Sequence, residues 1–235
     1  MSMGGCIGID GCKIGWICVS MDNETRQLKA MLINNIADIN FNSYDYIAID
    51  IPIGLPASGS RECDIGARAF IKPRGCCVFP APIRPMLRAK DYTDACNIKF
   101  KVDGIKISVQ TWNIMPKIIE VDNLLQNQEN RKTLFTEIHP EVSFCCMNGD
   151  RPLLINKKLK DGRKDRIQLI DAAFGSGTFQ QLKSSIVPSK GWGNDDLLDA
   201  CAALWTAKRI KDKKAHTIPD QFSNDGTELP MRIVY

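Results

Sequence analysis

The order of the predicted elements indicates an α/β protein with a mixed sheet: three antiparallel strands, then two parallel ones, flanked by helices. Three apolar runs near the N-terminus are joined only by short turns, which is typical of an antiparallel meander. Two later apolar runs alternate with segments of helical periodicity. The length of 235 residues accommodates one such domain with an inserted subdomain.

The strands are short apolar runs bounded by turn residues. The fourth stops at Pro52 and Pro56, because proline breaks a strand ladder and keeps the preceding residue extended. Residues 34–41 are predicted to form a short helix or turn. The five strands are predicted at residues 5–10, 14–21, 28–33, 46–51 and 134–138. A terminal strand is predicted at 231–234.

Helical periodicity separates the fourth and fifth strands and returns after them. The clearest helix covers 194–211, with an apolar stripe that includes Leu197 and Leu204 and with Asn194 as its N-cap. Other helices are predicted at residues 63–72, 91–101, 108–126, 141–146 and 163–174. We therefore predict a single domain over 1–235 with a helical insertion at about 60–132.

Composition is that of a globular protein, with 25% charged and 44% hydrophobic residues. Collagen-like, coiled-coil and disordered structures are excluded. No uncharged apolar run approaches the ~18 residues that a membrane span requires, and the N-terminus lacks the basic region of a signal peptide. A cytoplasmic protein without membrane association is expected, and its ten cysteines are expected to be reduced, mostly buried residues.

The formal net charge of +4 conceals two basic segments. Segment 156–166 and segment 208–214 each carry a net charge of +4, so the rest of the chain is slightly acidic. Either segment is a solvated end of a helix or a set of phosphate contacts for a nucleic acid or nucleotide.

Carboxylates stand at the ends of three predicted strands: Asp10, Asp50 and Glu137. A charge in such an apolar context is costly unless it is paired or bound to a metal. Another group opens the last helix, where Asp196 and Asp199 share a face. These acids are the inventory of a two-metal site for Mg²⁺ or Mn²⁺, in which two ions activate water and stabilise the leaving oxygen of a phosphodiester.

The order of strands and helices is that of the ribonuclease H topology, in which the first strand is central and the fourth lies beside it. Asp10 and Asp50 would then be neighbours that face the last helix. Seven stretches, in order along the chain, strengthen this interpretation: GIDGCKIGW, IDIPIGLP, RECDIGAR, VFPAPIR, MPKIIEVD, EIHPEVSF and DDLLDACAALWTA.

Together these stretches resemble domain-of-unknown-function family 429, described as a predicted ribonuclease H-like nuclease. The resemblance covers about residues 5–234. It implies that the metal site comprises Asp10, Asp50, Glu137 and the Asp196/Asp199 pair, and that Asp10, Asp50, Glu137 and Asp199 are catalytic. His139 and Glu141 are further candidates from the same motif.

Other residues have a functional and a structural interpretation. His139 either caps the following helix or orients groups at the metal site, and Lys117 either forms an ion pair with Glu120 or contributes to the site. Arginines suit bidentate phosphate binding, but each is as readily a surface or salt-bridge residue. The candidate phosphate contacts are Arg61, Arg68, Arg84, Lys157 and Lys158.

The sequence therefore predicts a metal-dependent nuclease that acts on a nucleic acid. Two alternatives remain open. GIDGCKIGW also resembles the first phosphate hairpin of sugar-kinase and actin-like ATPases, which predicts an ATP-dependent phosphotransferase-like protein, although a second Gly-rich loop is missing. The chain is otherwise a nucleic-acid-binding protein without catalysis, or a hydrolase of a small phosphorylated molecule.

Overall fold

The sheet has five strands in the order β3-β2-β1-β4-β5. The computed structural model describes residues 4–127, 134–187 and 190–235. Strands β1, β2 and β3 pair antiparallel, whereas β1–β4 and β4–β5 pair parallel. This is the ribonuclease H-like fold that the sequence predicts, with β1 at the centre. The strands are β1 Gly5–Cys12, β2 Gly15–Met21, β3 Leu28–Ile33, β4 Tyr44–Ile49 and β5 Phe135–Glu137.

Seven α-helices surround the sheet in the described part of the chain. The first three, α1 to α3, lie between β4 and β5, in the region predicted as an insertion; the predicted end of that insertion near 132 lies outside the described residues. The predicted helix or turn at 34–41 is two short 3-10 turns. The helices are α1 Glu62–Phe70, α2 Tyr92–Asp103, α3 Val109–Gln126, α4 Pro140–Met147, α5 Lys160–Phe174, α6 Thr178–Ser185 and α7 Asn194–Lys211.

Three details differ from the prediction. Helix α6 was not predicted, although Phe179, Leu182 and Ile186 form a short apolar stripe. Gly193, not Asn194, is the N-cap of α7. The terminal strand, β7 (Ile233–Val234), pairs outside the main sheet with β6 (Thr217–Ile218). Within the described residues, no helix combines the length and the apolar character that crossing a bilayer requires.

The two faces of the sheet are covered by different helices. Even-numbered residues of β1 point towards α7 and odd-numbered ones towards α3, so Cys6 packs with Leu204 while Ile7 and Ile9 pack with Ile118. Because β1 is buried on both faces, its sequence is an almost continuous apolar run.

Gly8 determines how closely α7 approaches the sheet. A Cβ atom at this position would lie 2.0 Å from the backbone nitrogen of Leu204 and 2.3 Å from the carbonyl oxygen of Ala200. Only glycine permits this contact, which places the first turns of α7 directly over the end of β1.

We expect Gly8→Ala to lower the free energy of unfolding by about 3 kcal/mol or more, because the clash is with backbone that cannot rotate away. Urea unfolding followed by circular dichroism measures the change. Gly11→Ala is the matched control in the same strand, since its Cβ would meet its nearest neighbour at 3.6 Å, an ordinary contact. Equal stability of the two variants would contradict the predicted close packing.

Candidate metal centre

Three carboxylates converge at the end of β1. Asp10 belongs to β1, Asp50 directly follows β4 and Asp199 lies in the second turn of α7. One oxygen of each carboxylate lies within 4.8 Å of one oxygen of each of the others. Asp10 is 7% exposed and Asp199 4% exposed, so these are buried acids. We call Asp10, Asp50 and Asp199 the carboxylate triad.

Backbone geometry produces the triad. The backbone N–H of Asp50 donates to the carbonyl of Ile9 at 3.0 Å, which continues the parallel pairing of β1 and β4. Strand alternation places Asp10 on the same face as Gly8, and Gly8 admits α7 at this point. The close approach of α7 therefore brings Asp199 over the two strand ends.

Lys157, in the segment before α5, forms an ion pair with Asp199. It contacts Oδ2 of Asp199, whereas Oδ1 of Asp199 is buried and has no hydrogen-bond partner. Lys157 was predicted as a peripheral phosphate contact, but its ammonium group lies at the triad. The structure thus places one cationic side chain beside three anionic ones.

The surroundings shift the protonation of these groups. Burial, together with the charges of Asp199 and Asp50, holds the pKa of Asp10 well above its usual range, and burial and Asp199 do the same for Asp50. Burial raises the pKa of Asp199 to about 6, although Lys157 acts in the opposite direction. The three carboxylates raise the pKa of Lys157 and keep it cationic against the opposing effect of burial.

Glu137 has a different environment from the triad. Its carboxylate accepts two hydrogen bonds from the Arg61 guanidinium, both at 2.7 Å, and one from the backbone N–H of Ile53, also at 2.7 Å. Arg61 also bonds the buried Asp64 at 2.5 Å. Glu137 pairs with Ile49 in register and shares the face of Phe135, opposite to the face of Asp10. The structure therefore holds Glu137 in a buried ion cluster of Arg61, Asp64 and Glu137.

Glu141 is likewise engaged. It accepts three hydrogen bonds of 2.6 to 3.2 Å from Arg166, whose side chain is completely buried. Arg166 also donates to the carbonyl of Ile155 at 3.0 Å, and so fixes the segment that carries Lys157. Arg166 was counted in a basic segment of the sequence; its position one turn before Ile170 was the signal that it faces inward.

His139 lines the same cavity as the triad. Its Nε2 lies 3.3 Å from the carbonyl oxygen of Cys77, and its Nδ1 is buried without a hydrogen-bond partner. Because a carbonyl only accepts, Nε2 carries the proton and Nδ1 is the bare nitrogen in the neutral ring. Burial lowers the pKa of His139, which favours this neutral form. His139 makes no side-chain cap to α4.

The remaining candidates divide between cavity and scaffold. Lys158 lines the cavity, as does Lys117, which lies 4.3 Å above the ring of Trp16 and 3.9 Å from Glu120. Asp196 accepts from the backbone N–H of Gly193 at 2.8 Å and caps α7. Two arginines are held in the scaffold: Arg84 pairs with Asp122 and Asp225, and Arg68 donates to the carbonyl of Val78.

The triad opens into a cavity of about 780 Å³. The region between β4 and β5 supplies two of its walls, the segment with Arg74 and Phe79 and the helix α3 with Asn113 and Lys117. Basic segment 156–166 reaches the cavity through Lys157 and Lys158. Basic segment 208–214 begins in the last turn of α7, and there Lys208 pairs with Asp212.

A ribonuclease H-like fold with buried carboxylates at the ends of β1 and β4 and on the last helix defines a ribonuclease H-like protein with a candidate metal centre. Residues 8–224 match the family described as "Protein of unknown function (DUF429)", and the chain belongs to this family. No curated protein and no solved structure shows significant similarity to the chain.

The raised pKa values predict how stability depends on pH in the absence of divalent ions. As the pH rises above 3.8, unfolded Asp10 and Asp199 lose their protons while the folded carboxyls still hold theirs, up to about pH 6 for Asp199. The folded state then binds more protons than the unfolded state, so these groups lower the free energy of unfolding as the pH rises.

Asp10→Asn removes part of this effect. We expect the variant to gain stability relative to the wild type as the pH is raised from 4 to 8 in the presence of a chelator. Urea unfolding at several pH values measures the difference. A difference that does not change with pH would show that Asp10 titrates normally.

Proposed function

We propose that the chain is a Mg²⁺- or Mn²⁺-dependent hydrolase that cleaves phosphodiester bonds in nucleic acid. The observation that carries this proposal is the convergence of three buried carboxylates with one unpartnered oxygen, Oδ1 of Asp199. A buried anionic oxygen without a partner is costly, and a hard cation with oxygen ligands offsets that cost. The donor set therefore fits Mg²⁺ or Mn²⁺.

The residues of the chain have distinct tasks in this reaction. Asp10, Asp50 and Asp199 hold the cation, which when bound activates a water molecule and neutralises charge on the phosphate. Exposed Lys13 and Lys158, at the cavity, attract the phosphate backbone. The water oxygen forms a bond to phosphorus and the bond to the leaving oxygen breaks; the proton of the water passes to solvent, and the leaving oxygen takes a proton from solvent.

The cavity favours a second candidate, the hydrolysis of a small phosphate ester. Its volume of about 780 Å³ lies in the range of small-molecule sites. Walls from two sides suit a nucleotide or a single-stranded end better than a duplex. The two candidates share the same metal chemistry and differ only in how far the substrate extends beyond the cavity.

The test is a substrate panel with the chelated, full-length protein, assayed with and without Mn²⁺. Labelled single-stranded DNA, duplex DNA, RNA, hybrid and junction substrates are compared with nucleotides and a small phosphodiester. We expect metal-dependent cleavage of at least one nucleic acid. Cleavage of the small esters alone would support the second candidate.

Thermal unfolding provides the parallel measurement of metal binding. An ion that binds only the folded state at ~100 times its Kd stabilises the protein by about 2.7 kcal/mol. We expect Mn²⁺ to raise the melting temperature of the wild type and of Asp220→Asn, an exposed acid away from the cavity. Absence of any shift at millimolar Mn²⁺ would refute the proposal. ATP binding without metal-dependent cleavage would favour the phosphotransferase alternative.

A further inference from the structure

We propose that Lys157 is a catalytic residue that supplies the second positive centre of the site, so that the carboxylate triad holds a single divalent ion. The inference rests on the proposed function and departs from the two-ion site expected from the sequence. Its consequence is a hydrolytic centre composed of one metal ion and one ammonium group.

The contacts of Asp199 divide its carboxylate between two partners. Oδ2 pairs with the ammonium group of Lys157, and the buried Oδ1 remains available. One carboxylate thus has an oxygen for the lysine and an oxygen for a metal ion. Asp10 and Asp50 lie near enough to act electrostatically on Lys157, so the ammonium group faces the whole triad.

Charge balance favours one ion. Three carboxylates and one ammonium group carry a formal net charge of −2, which a single divalent cation neutralises. A second divalent cation would leave a net charge of +2 among side chains that are 7% and 4% exposed at Asp10 and Asp199. Uncompensated charge is costly in such a buried environment.

The supply of ligands leads to the same number. Two ions would need carboxylates beyond the triad, yet the nearby acids have other partners. Arg61 binds both oxygens of Glu137, Arg166 binds both oxygens of Glu141, and the backbone N–H of Gly193 bonds Asp196. Within the described residues, the triad alone brings three metal-ligating side chains together.

The position of Lys157 is fixed by the segment before α5. Arg166 holds the carbonyl of Ile155, and the side chain of Asn156 accepts from the backbone N–H of Lys158 at 3.0 Å. Gly162 packs so tightly that a Cβ there would lie 2.3 Å from the carbonyl oxygen of Asn156. Lys157 is therefore preorganised on both sides, which is what a group that stabilises a transition state requires.

In the reaction, Lys157 donates an N–H to a non-bridging oxygen of the phosphate that is attacked. Negative charge on that oxygen grows as the water oxygen bonds to phosphorus and the leaving oxygen departs, so the hydrogen bond strengthens in the transition state. Lys157 keeps its protons throughout. Solvent accepts the proton of the water and protonates the leaving oxygen.

The experiment combines calorimetric titration of Mn²⁺ with cleavage kinetics on the best substrate of the panel. We expect the wild type to bind one ion per chain. Lys157→Met should bind Mn²⁺ at least about tenfold more tightly, because a cation has been removed from the triad. Its kcat should fall about 100-fold or more while KM changes less, and Lys157→Arg should recover part of kcat.

Lys164→Met is the control, since Lys164 is an exposed residue of α5 away from the cavity, and it should match the wild type in both measurements. Binding of two ions by the wild type, or a Lys157→Met variant that cleaves normally, would overturn this inference and leave the proposed function intact. Absence of Mn²⁺ binding in every folded variant would overturn both. Thermal unfolding without metal establishes that each variant is folded.

Discussion

Asparagine at any one position of the carboxylate triad is expected to lower kcat by about three orders of magnitude or more. Asp10→Asn, Asp50→Asn and Asp199→Asn each remove one anionic ligand and leave the shape of the side chain almost unchanged. The losses should not add in the double variant Asp10→Asn/Asp50→Asn, because ligands of one ion act as a unit. Single-turnover cleavage at saturating Mn²⁺ measures the effect on the chemical step.

Unfolding is not expected to cause this loss. Asp10 is buried beside two other acids, and its raised pKa shows that its charge is unfavourable in the folded protein. At pH 8 without metal, Asp10→Asn should therefore be more stable than the wild type, by about 1 kcal/mol or more. Asp220→Asn is the isosteric control for both measurements. Residual cleavage at the wild-type rate in Asp10→Asn would show that the activity belongs to another site.

The sequence predicted two members of the triad for a sound physical reason. Short turns between the first three strands dictate an antiparallel meander, and in the ribonuclease H-like order the fourth strand lies beside the first. Asp10 and Asp50 end these two strands, so the topology alone makes them neighbours. Asp199 was predicted from its place beside the apolar stripe of the last helix, and α7 does bring it to the strand ends.

The face of each strand-end acid was not available from the sequence. β4 and β5 are buried on both faces at their ends, so their apolar runs carry no alternation from which the register is deduced. The observed pairing of Ile49 with Glu137 places Glu137 on the face opposite to Asp10. There the Arg61 guanidinium binds it.

The role of Lys157 was concealed for a different reason. In the sequence it is one of six basic residues in segment 156–166, and a charged run is usually a solvated surface. The direction of its side chain depends on tertiary contacts, namely the Arg166 bond to Ile155 and the close packing of Gly162. In the same segment, Lys158 is exposed and Arg166 is completely buried, so residue type alone did not distinguish these positions.

Arg61→Met is expected to lower the free energy of unfolding by about 3–5 kcal/mol, because it leaves the buried carboxylates of Asp64 and Glu137 without their cationic partner. Both side chains are 4% exposed, so water does not replace the guanidinium. Combining Arg61→Met with Glu137→Gln should recover part of the loss, since one of the unpaired charges is then removed. Urea unfolding of the single and double variants forms a double-mutant cycle.

The same cycle separates a structural from a metal-binding role for Glu137. If Arg61 holds Glu137 away from the ion, Glu137→Gln should destabilise the protein yet change its affinity for Mn²⁺ by less than about threefold, which is under 1 kcal/mol. Asp50→Asn, a matched loss of one carboxylate charge, should weaken Mn²⁺ binding at least about tenfold. Equal weakening in the two variants would make Glu137 a metal ligand, and the Arg61 cluster would then have to open when the ion binds.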